Sequence, residues 1–148
     1  MPRLIVSTVG TSLLSNVARG KGTETEPLLR DTANLKDNEI KEEQKGVILQ
    51  LAQEASKKLE SSSPPEARRL SAELTGIWEY YGLNTSREGR AQDIHYLIST
   101  DTFQGSLASE LLKKYLRDQG FTVLDVFTPT GLSTADTQTF SKGIKQIV

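Results

Sequence analysis

Apolar residues follow two different patterns along the 148-residue chain, and the two patterns alternate. Short runs that are largely apolar predict three strands, at Arg3–Val9, Ile94–Thr100 and Phe121–Phe127. Elsewhere apolar residues recur every three or four positions, which is typical of helices that pack one face against a core. Strands separated by helices predict right-handed βα units and therefore a mostly parallel α/β sheet.

The first predicted strand runs directly into a turn and a helix. Ile5 and Val6 are consecutive apolar residues, which favours a strand that is covered on both faces of the sheet. The turn Gly10-Thr11-Ser12 follows, and its Thr11 or Ser12 can cap the next helix. The inward positions of that helix are predicted to be Leu13, Leu14 and Val17.

A long helical region separates the first strand from the second. After short helical turns around Leu28, Leu29 and Leu35, a helix is predicted from about Asn38. The segment Ser61–Pro65 ends that helix and begins another, which stops at Gly82. Their apolar faces comprise Val47, Ile48, Leu51, Ala52, Ala55 and Leu59, and then Ala67, Leu70, Leu74, Ile77, Trp78 and Tyr81. We expect a helical hairpin over about 38–82, as a dimer surface or an insertion beside the sheet, followed by a polar loop at Asn84–Arg90.

The second half of the chain repeats the strand-to-helix pattern. A helix that ends at Gly120 is predicted to bury Leu107, Ala108, Leu111, Leu112, Tyr115 and Leu116. A last helix is predicted to carry Phe140, Ile144, Ile147 and Val148 inward. Because only three strands are evident and the chain ends in an apolar helical pattern, we expect residues 1–148 to form a single domain that is truncated at its C-terminus and lacks at least one strand.

Composition narrows the classes of function. Eighteen basic and nineteen acidic residues leave a net charge of −1, which argues against a dedicated duplex-nucleic-acid binder. The chain has no cysteine and one histidine, His95, which excludes disulfides and thiolate metal sites and argues against histidine-based metal clusters or triads. No signal peptide or membrane-spanning run is present, so we expect a cytoplasmic protein that does not contact membranes.

Hydroxyl-bearing residues follow all three predicted strands. They lie in Gly10-Thr11-Ser12, in Ser99-Thr100-Asp101-Thr102 and in Thr128-Pro129-Thr130-Gly131. Ligands of open parallel sheets bind beyond the carboxyl ends of the strands. These segments therefore predict a polar crevice with hydroxyl groups and backbone N–H donors, which suits phosphodiesters and ribose hydroxyls and includes no metal or cofactor.

Each of these residues also allows a purely structural interpretation. Gly10-Thr11-Ser12 can be a tight turn with a cap, and Asp101 with Gln104 resembles a capping box, which is the favoured interpretation for Asp101. His95 is predicted to be an ordinary strand residue. Packing of the helical hairpin is the favoured role for the aromatic residues Trp78, Tyr80 and Tyr81. Solvated surface positions are favoured for Arg19, Lys21, Lys142 and Lys145.

Standard nucleotide-binding and hydrolase signatures are absent from the sequence. It contains no G-x-x-x-x-G-K-[ST] phosphate loop, no G-x-G-x-x-G fingerprint and no G-x-S-x-G elbow. ATP hydrolysis and NAD-dependent redox chemistry are therefore unsupported.

Three segments resemble a known family. The strand that leads into Val9-Gly10-Thr11-Ser12-Leu13-Leu14 and then Asn16 resembles the first motif of CRISPR-associated Rossmann-fold (CARF) proteins. Leu97–Thr102 resembles the second strand-to-helix step of that family, and Gly131–Ile144 is similar to its loop and helix. The resemblance covers most of the chain, and the helical region 41–81 is its least diagnostic part.

The resemblance implies a Rossmann-like sheet, a homodimer and a cleft across the dimer axis. That cleft binds cyclic oligoadenylate, the second messenger of type III CRISPR defence. The ligand contacts that it implies are Gly10, Thr11, Ser12 and Asn16, with Ser99, Thr100, Asp101, Thr102, Thr130 and Gly131 as further walls of the cleft.

Some members of this family also cleave the cyclic ligand without a metal. The ribose 2′-hydroxyl attacks the adjacent phosphorus and leaves a cyclic phosphate, so the protein must mainly position the ring and stabilise the phosphate oxygens. The resemblance makes Ser12 the candidate catalytic residue. The family's later strand, with a glycine-rich turn and a lysine, is expected beyond Val148.

Three hypotheses therefore remain open from the sequence. The first is a dimeric sensor of cyclic oligoadenylate, and the second is a ring nuclease that degrades the same messenger. The third is an unrelated Rossmann-like nucleotide-binding or scaffolding domain in which the turn is only structural.

Overall fold

A computed structural model describes residues 3–19, 24–82 and 86–128. The strands are β1 (Leu4–Val9), β2 (Ile94–Ser99) and β3 (Thr122–Phe127). The helices are α1 (Ser12–Ala18), α2 (Thr25–Thr32), α3 (Glu42–Ser61), α4 (Pro64–Leu70), α5 (Ala72–Tyr81), α6 (Arg87–Arg90) and α7 (Phe103–Asp118), with a 3₁₀ turn at Asp37–Glu39. The predicted last helix, together with Lys21, Thr130, Gly131, Lys142 and Lys145, lies outside the described residues.

The three strands form one parallel sheet in the order β1-β2-β3. Strands β1 and β2 pair without interruption from Leu4 opposite Ile94 to Val9 opposite Ser99. The pairing of β2 with β3 is irregular between His95 and Leu97. Parallel strands joined through helices confirm the predicted α/β, Rossmann-like fold.

The two faces of the sheet differ in burial. Helices α5 and α7 contact the sheet, and its inward side chains include the buried His95, Leu97 and Val123. On the opposite face, by contrast, Leu4 is 63% and Val6 48% exposed. The prediction that β1 is covered on both faces is therefore wrong for the described part of the chain. The physical reason is topological, because right-handed connections between strands in the order 1-2-3 place their helices on the same face.

Most of the helical predictions are confirmed. Leu13, Leu14 and Val17 are buried in α1, and α3 buries every predicted position except Val47, which is 39% exposed. Helix α7 buries its predicted face in whole or in part, and its chain reverses at Gly120, which has a φ of 93°. Such a positive φ is adopted by glycine without the steric cost that other residues incur.

Three local predictions need correction. The helix predicted from Pro65 to Gly82 is two helices that meet at Ser71, whose extended backbone ends α4 and caps α5. The predicted loop at Asn84–Arg90 contains α6, which Ser86 caps by accepting a hydrogen bond from the Gly89 N–H. The cap of α7 is Thr102 and not Asp101, since the Thr102 hydroxyl accepts the Gly105 N–H.

Aromatic side chains fill the space between α5 and the sheet. Trp78 is buried, contacts Phe121 edge to face at 5.2 Å, and donates its indole N–H to the Tyr115 hydroxyl at 3.0 Å. Tyr81 packs edge to face against His95. Trp78 and Tyr81 therefore have packing roles as predicted, but they pack against α7 and the sheet, not within a helical hairpin, and His95 is a packed strand residue. Tyr80 is 76% exposed, and its predicted packing role is wrong, because it lies on the outer face of α5.

No helix in the described ranges combines enough length with enough apolarity to cross a membrane.

Candidate functional site

Register places the first two predicted site segments at the same edge of the sheet. Because Val9 pairs with Ser99, the turn after β1 and the turn after β2 leave neighbouring strands side by side. The predicted contacts Gly10, Thr11 and Ser12 therefore lie at the carboxyl edge, as do Thr100, Asp101 and Thr102. Of the third segment only Thr128 is described.

The turn after β1 already holds an anion that belongs to the protein. The Glu73 carboxylate accepts the Gly10 N–H at 2.8 Å through Oε1. Its other oxygen, Oε2, accepts the hydroxyl of Ser12 at 3.2 Å and that of Ser71 at 2.6 Å. The donors that the sequence assigned to a phosphate are thus bonded to an internal carboxylate in this structure.

Glycine is not required in this turn by its backbone. A Cβ atom at Gly10 would lie 3.6 Å from Oε1 of Glu73, which is an ordinary contact distance. Thr11 occupies the N-cap position of α1, but its hydroxyl makes no capping hydrogen bond to that helix. The groups of this turn that can bind an anion are therefore the Gly10 N–H and the Ser12 hydroxyl.

Helix α1 is joined to the junction of α4 and α5 by two of its predicted site residues. Ser12 Oγ accepts the N–H of Ala72 at 3.1 Å, at the start of α5. The Asn16 side-chain amide donates to the carbonyl of Leu70 at 2.9 Å and lies 3.4 Å from that of Arg69. These bonds satisfy backbone groups that a helix break would otherwise leave without partners.

An open groove of about 570 Å³ lies along this junction. Ser12 and Asn16 form its wall on the α1 side, and residues of α4 and α5 form the rest. Its lining residues are Ser12, Asn16, Pro65, Arg68, Arg69, Ser71, Ala72 and Thr75. Two of the predicted ligand contacts therefore share a groove with two arginines that the sequence analysis did not assign to the site.

The arginines give the groove its positive charge. Arg69 is exposed, and no carboxylate in the described part of the chain pairs with it. Arg68 is half-buried, its Nε is buried without a hydrogen-bond partner among the described residues, and its terminal nitrogen lies 3.8 Å from Glu79. That distance is too long for a strong hydrogen bond, so the charge of Arg68 is only partly compensated.

The turn after β2 is arranged differently. Ser99 is fully buried, and its hydroxyl donates to the Thr100 carbonyl at 2.9 Å. The Thr100 and Thr102 hydroxyls lie 3.0 Å apart, and Asp101 forms an ion pair with Lys36 at 3.3 Å. Asp101 and Thr102 line a separate recess with Lys36, not the groove beside Ser12.

The sequence pattern does not indicate three residues of this region as site residues. Glu73, Arg68 and Arg69 lie within the apolar pattern of a predicted single helix. One local feature does point to the break: a serine followed by an acidic residue in the first turn, as in Ser71-Ala72-Glu73, is typical of a helix start. That start would have placed the arginines in the last turn of the preceding helix.

The geometry supports binding of an anion more directly than any other chemistry. The groove combines two guanidinium groups with side chains that can contact sugar hydroxyls. Within the described ranges, no three His, Asp or Glu side chains lie close enough together to hold a metal ion.

Comparison with known proteins identifies the family. No curated protein matches the chain. A family model described as a CRISPR-associated protein (Cas_APE2256) matches residues 68–148, which is more than half of the chain. The matched region begins at Arg68, so it includes β2, α7, β3 and the groove residues from Arg68 onwards, but not Ser12, Asn16 or Pro65. The chain therefore belongs to the Cas_APE2256 family of CRISPR-associated proteins, and this membership supports a role in CRISPR defence.

Proposed function

We propose that the chain is a CARF-type domain that senses cyclic oligoadenylate in type III CRISPR defence. The observation that carries the proposal is the position of Ser12 and Asn16, which line one open groove at the carboxyl edge of a Rossmann-like sheet. Both belong to the segment that resembles the first CARF motif. Membership in a CRISPR-associated family supports the biological setting.

The chemistry of the ligand suits this edge of the sheet. A cyclic oligoadenylate offers one negative charge at each phosphodiester and a hydroxyl on each ribose. The donor groups of Asn16, Ser12 and Thr75 are bonded within the protein, but their oxygens can still accept hydrogen bonds from ribose hydroxyls in the groove. A ring that spans two copies of the chain would contact two such edges, so the proposal includes a homodimer.

Titration with cyclic tetra-adenylate and cyclic hexa-adenylate tests the proposal. We expect calorimetry to show saturable binding of one of the two rings. The Ser12→Ala variant should bind about tenfold more weakly, since it loses a hydroxyl on the groove wall. Ser15→Ala is the matched control, because Ser15 lies on the same helix, is exposed, and its hydroxyl donates to the Thr11 carbonyl at 3.2 Å, away from the groove.

Circular dichroism of both variants separates loss of binding from loss of folding. Equal affinities of Ser12→Ala and the parent protein would mean that the site assignment is wrong. Absence of binding to either ring would remove the sensor hypothesis and leave an unrelated nucleotide-binding or scaffolding domain.

A second candidate function is cleavage of the same ring. It is favoured by the position of Ser12 on the wall of a groove with two arginines, whose guanidinium groups can stabilise phosphate oxygens. In this reaction the ribose 2′-oxygen bonds to the adjacent phosphorus while the bond from phosphorus to the next 5′-oxygen breaks. Chromatography of the incubated ring distinguishes the two functions: linear products ending in a cyclic phosphate indicate a nuclease, and unchanged ring indicates a sensor.

A further inference from the structure

Two adjacent arginines in the last turn of α4 have more positive charge than their surroundings neutralise. Arg69 is exposed and has no ion pair in the described ranges. Arg68 reaches Glu79 only at 3.8 Å, and its buried Nε has no acceptor in the same part of the chain. A buried donor without a partner is costly, so the local structure is one that an added acceptor would stabilise.

Polar side chains near these arginines already form hydrogen bonds within the protein. The Asn16 amide is bonded to the Leu70 carbonyl, and the Thr75 hydroxyl lies 2.6 Å from the Arg68 carbonyl. Glu73 is bonded to Gly10 and two serines, and Glu66 accepts the Ser63 hydroxyl at 2.9 Å. No carboxylate of the described residues lies within ion-pair distance of Arg69.

The carboxylate of Glu73 also determines where an external anion can go. It is bonded to the Gly10 N–H and the Ser12 hydroxyl, and a second anion at the same donors would meet its negative charge. The groove on the other side of Ser12 has the opposite charge and is open to solvent.

We propose that Arg68 and Arg69 form the phosphodiester subsite of the groove, and that Arg69 makes the direct contact. The inference rests on the proposed function for the identity of the nucleotide, but not for the existence of an anion subsite. A guanidinium group can bond two phosphate oxygens at once, which suits a phosphodiester that must be held in one orientation. The chain thereby supplies a cationic group of its own to the ligand, in addition to its hydroxyl groups.

A structural role alone is the competing explanation. Basic residues in the last turn of a helix interact favourably with the helix dipole, and both arginines occupy such positions. Arg30 occupies the same kind of position, exposed in the last turn of α2, but does not line the groove. The variant Arg30→Gln is therefore a matched control for Arg69→Gln.

The test measures binding of the two cyclic rings and of linear tetra-adenylate at several salt concentrations. We expect Arg69→Gln to weaken binding about tenfold and to reduce the salt dependence by about one phosphate contact. Arg69→Lys should retain part of the affinity, because it keeps the charge but not the two-point contact. Arg30→Gln should bind like the parent protein.

The outcomes separate this inference from the proposed function. If Arg69→Gln and Arg30→Gln both bind like the parent protein, the subsite is wrong while the sensor hypothesis stands. If only linear tetra-adenylate binds, and Arg69→Gln weakens that binding, the assignment of the subsite stands and the assignment of a cyclic ring as the ligand is wrong. If none of the three nucleotides binds, both proposals are overturned.

Discussion

His95 is the only histidine of the chain, and it is completely buried. Its ring lies edge to face with Tyr81 at 5.7 Å and with Phe121 at 5.3 Å, and neither ring nitrogen has a hydrogen-bond partner among the described residues. Burial lowers the pKa of His95 below its ordinary value of 6.5, and the nearby charge of Asp93 opposes this only in part. Asp93 is itself bonded to Arg3 at 2.8 Å. The histidine therefore behaves as a neutral aromatic residue of the core.

The lowered pKa of His95 predicts that acid destabilises the fold. Below about pH 6.5 the unfolded chain protonates this histidine more fully than the folded chain does, so stability falls as the pH falls from 6.5 towards the lowered pKa of the folded state. The loss has an upper limit of about 1.4 kcal/mol per pH unit for one proton. Denaturant unfolding at pH 7.5 and pH 5.5 measures it, with His95→Phe as the variant that keeps an aromatic ring and cannot titrate. Carboxylates contribute equally to both proteins, so an identical pH dependence of the two would contradict the prediction.

At the scale of elements, the start of α7 depends on the close approach of its first turn to the turn after β2. Gly105 lies in that first turn, and a Cβ at this position would overlap Oγ1 of Thr100 and lie 2.7 Å from Oγ1 of Thr102. Thr102 is the residue that caps the helix, so a side chain at Gly105 would displace the cap. A Cβ added at Gly46 in α3 would meet no described atom within 4 Å, so that position has no such restriction.

Replacing these two helical glycines should change stability in opposite directions. Gly105→Ala should destabilise the protein by about 2 kcal/mol or more, through steric overlap and a disturbed cap. Gly46→Ala should stabilise it by about 0.5–1 kcal/mol, because alanine is the better helix former and has free space. Urea unfolding of both variants provides the measurement, and stabilisation by Gly105→Ala would contradict the described geometry of this turn.

An element can be predicted from the sequence when the residues that determine it lie close together along the chain. The strands and α7 follow from apolar patterns within one window of the sequence, and these predictions are confirmed. The break at Ser71 does not show in the apolar pattern and has only the local sign Ser71-Ala72-Glu73, while the bonds that hold it come from Gly10, Ser12 and Asn16 across separations of 54 to 63 residues. For the same reason the sequence indicated Ser12 and Asn16 as site residues but not Arg68 and Arg69, which reach the groove only because the helix is interrupted.

The whole molecule is a sheet with its described helices packed on one face, and this asymmetry explains where the groove forms. Helices α1, α4 and α5 converge at the carboxyl edge of β1, while α7 packs across the sheet and contacts all three strands. The opposite face carries the exposed Leu4 and Val6 of β1 and Leu124 of β3. In β1, burial therefore follows the side of the sheet, whereas in β2 Ile98 is buried although it pairs with the exposed Thr8 on the opposite face.

Two valines on opposite faces provide a direct measurement of this asymmetry. Val6 in β1 is 48% exposed and Val123 in β3 is 5% exposed, and both lie in the outer strands of the three-stranded sheet. Val123→Ala should cost about 2 kcal/mol of unfolding free energy, because it removes two buried carbon atoms and leaves a cavity against the helices. Val6→Ala should cost less than about 1 kcal/mol, since it mainly lowers strand propensity. The lost propensity is the same for both variants, so the difference between them reports burial alone; equal losses would mean that the face carrying Val6 is covered in solution as fully as the helical face.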